Sequence, residues 1–315
     1  MSPIQSFYHS DILSADQFTK ENLTRIFSVA RKMKKLVMTR GASDVLRGKM
    51  MTALFYEPSS RTFGSFIASM QRLGGGCIPI QGVAYSSVSK GESLVDTVRT
   101  FGSYCDVIVI RHSEVGAAKI AAEFSDIPVI NAGDGVGEHP TQALLDIFTI
   151  EDRLGSIDGK TVTMVGDLLN GRTIHSLLRL LAIYRNIHVH LVAPDILRLP
   201  GELARFLRSS GVRFDEQENL ESVIGHTDVL YVTRVQKERF TDLASYEKLK
   251  HRYIISAHTA SGMKKNSIIM HPFPRVGEID PDVDLDPREV YIREQMKNGM
   301  YVRMALLSLV LQKTV

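Results

Sequence analysis

Between the apolar run MMTALFY and the helically spaced SFIASMQRL lies EPSSRTFGSF, which puts Ser59, Ser60, Arg61 and Thr62 on one strand-to-helix turn. Amide N–H groups at a helix N-terminus favour an anion, hydroxyls add donors, and an arginine offers a fork that matches phosphate oxygens. Ser and Thr are also ordinary helix caps, so the four residues read either as a phosphate cradle or as a capping turn. The spacing is not that of a P-loop. Two other segments end strands in polar residues. DVIVIRHS ends with Arg111 near its close, and PVINAGDGVGEHPTQALLD runs through a glycine-rich turn to His139, Pro140 and Gln142. Pro140 suits a first helical turn, leaving His139 at the mouth and Gln142 inside. A histidine there is often a structural hydrogen bonder; beside a guanidinium on the same sheet edge, it can polarise a carbonyl oxygen.

The loop AYSSVSKGESLVDTV holds Ser89 and Glu92 in S-x-x-E spacing, which predicts a capping box for the helix that follows. Ser86 and Lys90 on the same loop fall outside that explanation. Lys90 is either a solvated loop lysine or a cation long enough to reach an anion some distance away. VGDLLNGRTIHSLL follows a strand but lacks G-x-G-x-x-G, and Asp167, Leu168 and Leu169 would block the close approach of a pyrophosphate, so NAD is disfavoured. What stands out is Arg172 at a helix head, with Arg234 and Gln236 after the strand DVLYVT. Two arginines at strand ends can hold two carboxylates, or can serve only as surface ion pairs. HPFPR, which contains Pro272 and Phe273, fixes the backbone direction in a turn whose carbonyls can accept from an amine.

These residues need a scaffold, and the chain supplies one. Apolar strands alternate with helices, MTALFY through TQALLDIFTIEDRL, which predicts a parallel sheet covered on both faces. DRLGSIDGK is the first polar break. After it the pattern restarts with TVTMVGD, HVHLVAP, DVLYVTR and SIIMHPF, a second α/β unit. TKENLTRIFSVARKMKKLV reads as an amphipathic helix capped by Thr19, and the final VRMALLSLVLQK as a helix that docks back on one unit. The predicted fold is α/β: two doubly wound parallel-sheet domains, with ligands in the cleft outside the carboxyl ends of the strands.

Length and composition agree. At 315 residues and 44% hydrophobic, the chain supports two cores. A net charge of +3 with interspersed signs, and no tryptophan, predict no nucleic-acid partner. Cys77 and Cys105 lack metal or redox spacing and read as incidental thiols of a reducing compartment. No signal pattern or membrane-length apolar run is present, which predicts a soluble, cytoplasmic protein with no membrane partner.

Together, five segments in order resemble the transcarbamoylase family in its aspartate branch: EPSSRTFGSF, GEHPTQALLD, GDLLNGRTIHSL, TRVQKERF and HPFPR. EPSSRTFGSF is similar to the family's S-T-R-T motif, with Ser60 keeping the hydroxyl. The ornithine branch's H-C-L-P cysteine and S-M-G loop are absent. The resemblance implies a carbamoyl phosphate-binding domain at 1–150, an aspartate-binding domain at 151–290 and a C-terminal helix at 291–315 returning to the first domain. It assigns Ser59, Ser60, Arg61 and Thr62 to the phosphate. Thr62, Arg111 and His139 would surround the carbonyl oxygen, and Gln142 would bind the carbamoyl amide. Arg172, Arg234 and Gln236 would hold the carboxylates of L-aspartate. Carbonyls near Pro272 and Phe273 would orient the substrate nitrogens.

Ser86, on carbamoyl phosphate, and Lys90, catalytic and on aspartate, would enter the site of a neighbouring subunit of a homotrimer, with Ser89 left to helix capping. Many bacterial members carry two successive lysines where this chain has Ser89 and Lys90. Glu57 and Arg239 resemble the charged pair of the closed domain arrangement. The implied reaction carries the carbamoyl group of carbamoyl phosphate to the aspartate amine, in pyrimidine biosynthesis, with no cofactor, metal or covalent nucleophile. The family also allows a regulatory chain or a multienzyme context. Two alternatives stand beside this reading: a carbamoyltransferase for another amino acid, and a non-catalytic scaffold subunit of the same fold.

Overall fold

The structure, a computed structural model, describes residues 2–82, 87–237, 240 and 242–312. It divides into two units, Met1–Leu145 with Lys297–Val315, and Asp146–Met296. In the first, α1 (Lys20–Arg40) is followed by β1 (Met50–Phe55), α2 (Ser60–Arg72), β2 (Gly76–Gln81), α3 (Leu94–Gly102) and β3 (Val107–His112). Then come α4 (Ala117–Glu123), β4 (Val129–Asp134) and the start of α5 (Pro140–Leu154), whose residues from Asp146 onward belong to the second unit. The strands pair in parallel in the order β2-β1-β3-β4. From Met51 to Phe55, β1 is wholly buried, which is why it reads as an unbroken apolar run rather than an alternation. Thr19 caps α1 in a reciprocal box with Asn22, as its position predicts.

The start of α3 differs from expectation. Its cap is Ser93, whose side chain accepts from the Asp96 amide, and Glu92 instead accepts from Thr97 Oγ1 at 2.7 Å. Ser89 lies in a separate short turn of 3-10 helix, Ser87–Lys90. A serine three residues before a carboxylate occurs twice here, as Ser89 with Glu92 and as Ser93 with Asp96. The one nearer the apolar run won.

The second unit carries β5 (Thr161–Val165), α6 (Arg172–Leu181), β6 (His188–Val192), α7 (Gly201–Ser209), β7 (Arg213–Gln217) and α8 (Glu221–Ile224). It continues with β8 (Val229–Val232), α9 (Leu243–Leu249), α10 (Ala257–Ser261) and β9 (Ile268–Met270). All five strands are parallel, in the order β7-β6-β5-β8-β9. The strand β7, RFDEQ, has no apolar run to announce it. An edge strand meets a neighbour on one side only and tolerates charge along its length. In this unit's core, Tyr231 donates to Asp146 Oδ2 at 2.8 Å and Gln295 Nε2 donates to Asp146 Oδ1 at 2.7 Å. Tyr231 and Asp146 are fully buried, so each lost donor weakens the hydrogen bonding of a carboxylate in an apolar medium. Tyr231→Phe is expected to lower stability by about 1–3 kcal/mol, read as a lower urea midpoint at unchanged slope.

The last helix, α11 (Met296–Leu311), is buried on all sides from Tyr301 to Leu311 and belongs to the first unit from Lys297 onward. It packs back there as the sequence predicts. Arg303 Nη1 donates to Ser65 Oγ of α2 at 2.7 Å, and its guanidinium lies 5.2 Å from the Phe66 ring centre. Each fully buried leucine or valine of α11 contributes about 1.5–3 kcal/mol of transfer free energy. Among the described residues, no helix is long and apolar enough to cross a membrane.

Candidate active site

In the first sheet the chain lays β2 on one side of β1 and then crosses to place β3 on the other. Ligands of such sheets bind where the order reverses, outside the carboxyl ends of the strands. Those ends carry the predicted residues. Ser59 occupies the N-cap position of α2, and Ser60, Arg61 and Thr62 form its first turn. The Ser59 side chain makes no capping bond. The capping reading therefore fails for this serine, and its hydroxyl is not committed to the helix amides. The first amides of any helix lack intrahelical acceptors, so this turn keeps its pull on an anion.

Thr62 is buried, and its Oγ1 lies 3.5 Å from His139 Nε2; His139 Nδ1 lies 3.4 Å from Thr141 Oγ1. Arg111 stands beside Phe55 in the ladder, one residue from the end of β3. Its Nη1 donates to the Ala132 carbonyl at 3.3 Å, and its Nε is 3.4 Å from Glu57 Oε2. Glu57 thus sits beside Arg111, within the first unit. Gln142 is the third residue of α5 and is buried. The turn ahead of α5 depends on Gly135 (φ +52°), where a Cβ would come within 2.6 Å of the Ser113 carbonyl oxygen. Lys90 is exposed at the end of its short turn. Ser86 and Arg239 lie outside the described residues.

The second sheet reverses order between β5 and β8. Arg172 opens α6 after β5, and Arg234 follows β8 by two residues, so the reversal brings both to neighbouring strand ends. Gly166 (φ +121°) lets these strand ends approach: a Cβ there would lie 2.1 Å from the Thr233 carbonyl oxygen. The glycine in VGDLLN is thus required by a neighbouring backbone rather than by a dinucleotide. Between the loops that carry the arginines, buried Asp167 ties Asn170 and Gln236 together. It accepts from the Asn170 amide at 2.9 Å and from the Gln236 amide at 3.3 Å, while Gln236 Nε2 donates to the Asn170 carbonyl at 2.9 Å. Burial raises the Asp167 carboxyl above the ordinary aspartate value against the pull of these bonds. Neither Asp167 nor Asn170 stood out in sequence as a site element, although D-x-x-N before a glycine is a turn signature.

Pro272 and Phe273 follow β9 in the turn predicted from HPFPR, where Phe273 takes a left-handed conformation (φ +56°). The Phe273 amide donates to His271 Nδ1 at 2.8 Å, which leaves the imidazole proton on Nε2, 2.6 Å from Glu278 Oε1. Burial penalises the Glu278 carboxylate, yet hydrogen bonds from His271 and the Val276 amide outweigh it and hold the carboxyl below its ordinary value. A depressed folded-state pKa gives stability that is present above the unfolded carboxylate value and lost as pH falls through the folded one. Urea midpoints of the parent chain are expected to fall across that acidic window. Those of Glu278→Gln should start lower at neutral pH and fall less.

The two cysteines fit a passive role. Both are free, and burial pushes the Cys77 thiol up to about 11 and the Cys105 thiol also upward, away from thiolate chemistry.

One switch point carries a helix head, hydroxyls and a guanidinium, groups that suit a phosphate; the other carries two arginines, which suit carboxylates. Two parallel-sheet α/β units, each with anion-suited side chains at its switch point, define the class of protein that this chain falls into. Residues 10–152 match the aspartate/ornithine carbamoyltransferase, carbamoyl-P binding domain, and residues 158–310 the corresponding Asp/Orn binding domain. The chain belongs to the aspartate/ornithine carbamoyltransferase family.

Among curated relatives it is 52% identical to "Multifunctional protein pyr1-3" of Dictyostelium discoideum over 95% of this chain but only 13% of that protein. It is 48% identical to "Aspartate carbamoyltransferase, chloroplastic" of Arabidopsis thaliana over 98% of this chain and 79% of that one. A solved aspartate transcarbamoylase from Trypanosoma cruzi, in complex with carbamoyl phosphate and aspartate, superposes with a TM-score of 0.92 at 44% identity, covering 99% of both chains.

Proposed function

We propose that this chain carries the carbamoyl group of carbamoyl phosphate to the amine of L-aspartate, giving N-carbamoyl-L-aspartate and phosphate. What supports the proposal is where the residues stand: a helix head with hydroxyls and a guanidinium at one topological switch point, and two arginines at the other. In the first unit, Ser59, Ser60, Arg61 and Thr62 with the head of α2 hold the phosphate. Thr62, Arg111 and His139 meet the carbonyl oxygen, and Gln142 binds the carbamoyl amide. In the second unit, Arg172, Arg234 and Gln236 take the two carboxylates, with Gln236 itself held by Asn170 and Asp167. The turn at Pro272 and Phe273 supplies carbonyls for the substrate nitrogens.

The chemistry needs little else from the protein. The amine attacks the carbamoyl carbon, a C–N bond forms, and charge grows on the carbonyl oxygen, where fixed donors receive it. The bond from carbon to the bridging oxygen then breaks and phosphate leaves with the electron pair. Its own oxygen takes the proton that the nitrogen sheds. Much of the acceleration comes from holding amine and carbonyl in line.

The active assembly in this proposal is a homotrimer, in which Lys90 and Ser86 of one subunit complete the site of the next. The exposure of Lys90 supports that reading. Mixing inactive Lys90→Ala and Arg172→Ala proteins, dissociated and reassembled together, should then restore activity, because hybrids contain sites with both residues intact. Two free, half-buried thiols support a reducing compartment such as the cytoplasm. An acceptor panel at saturating carbamoyl phosphate tests the substrate assignment. Aspartate is expected to react and ornithine not; the reverse would move the chain to the other branch of its family.

A further inference from the structure

In sequence, the HVH of β6 is only part of a strand, because its third partner lies 25 residues further on. The ladder places His190 opposite Asp215 of β7 and His188 opposite Arg213, and residues two apart on a strand share one face. Asp215 Oδ1 lies 2.8 Å from His188 Nε2 and 2.8 Å from His190 Nδ1. These three atoms lie within 4.8 Å of one another. Gln217 Nε2 donates to the other carboxylate oxygen at 2.9 Å and fixes the orientation of the group.

We propose that His188, His190 and Asp215 form a binding site for a divalent cation of the zinc, cobalt and nickel class on the outer edge of the second sheet. Two imidazoles and one carboxylate suit these borderline cations and not magnesium or calcium, which prefer oxygen ligands throughout. Ligand atoms of a tetrahedral zinc site, ~2.0–2.2 Å from the ion, stand about 3.3 Å apart. Each imidazole must therefore retreat from Asp215 by about half an ångström. The side chains of His188 and Asp215 are one-third exposed and can make that movement; His190 is more enclosed and acts as the fixed ligand. With the cation bound, each neutral imidazole carries its proton on the opposite ring nitrogen. Arg208, Arg213 and Glu216 line the surrounding depression. The two arginines favour an anionic fourth ligand, chloride or hydroxide, at the open position. None of the three ligands belongs to the carbamoyl-transfer site proposed above, so the cation acts as a clip between β6 and β7.

The test uses the whole chain, freed of metal by a chelator. Titration with Co2+ is expected to saturate at one equivalent per chain with the visible absorption of a four-coordinate ion, and Zn2+ should raise the melting temperature. The double variant His188→Gln and His190→Gln should bind Co2+ more weakly by about tenfold or more, lose the thermal shift and keep its carbamoyl-transfer rate. Asp215→Asn should show the same loss. If Co2+ and Zn2+ fail to saturate the parent chain at about hundredfold excess, the three residues are a hydrogen-bonded triad only. Binding unchanged in the double variant would place the metal elsewhere; either result overturns the site.

Discussion

Arg111→Ala is expected to lower kcat by about 10²–10³-fold, the usual effect of removing one fixed donor from a developing oxyanion. Three features make the expected loss large. Arg111 is half-buried, so little water can replace its charge. It is aimed by a bond to the Ala132 carbonyl and by Glu57 at 3.4 Å, so little reorganisation is needed when charge develops. Glu57 would also lose this cation beside the proposed phosphate-binding turn. Arg111→Lys should recover only part of the loss, since a single ammonium cannot reproduce the fork. Steady-state kinetics with both substrates saturating would check this. A kcat within about tenfold of the parent would remove Arg111 from the carbonyl-polarising role.

Arg234→Ala should act on the other substrate. Losing one charge-assisted, paired contact to a carboxylate costs about 2–4 kcal/mol, which corresponds to a drop of roughly 30- to 1,000-fold in kcat/KM for aspartate. Binding of carbamoyl phosphate should be unchanged, because its proposed ligands stand on the other sheet. The expected split is therefore in the substrate affected as well as in magnitude. Titration of carbamoyl phosphate against the variant, followed by its melting temperature, separates the outcomes. Equal weakening of both substrates would mean that Arg234 supports the fold of the β8 loop rather than contacting the ligand.

Much of the candidate site was legible because of the fold class. Strands covered on both faces are nearly continuous apolar runs, so Arg111 and Arg234 near their ends stand out against a plain background. The same holds for Ser59 to Thr62 after β1 and for His139 after β4. The strand order was not legible, yet it makes these residues neighbours by setting β3 beside β1 and β8 beside β5. Order is fixed by which helices cover which face, a property of packing rather than of any one segment. The charged edge strand β7 escaped because one-sided pairing relaxes its composition. The Asp167 hub escaped because its partners lie 3 and 69 residues away. Ser93 rather than Ser89 caps α3 because two equally spaced candidates competed and local pattern alone did not rank them.

The central claim is that one chain both binds carbamoyl phosphate and passes its carbamoyl group to aspartate. Purified protein given carbon-labelled carbamoyl phosphate and aspartate, both saturating, tests it most directly. Labelled carbamoyl aspartate should accumulate in step with released phosphate, one for one. Phosphate released without labelled carbamoyl aspartate, or no turnover of either, would contradict it.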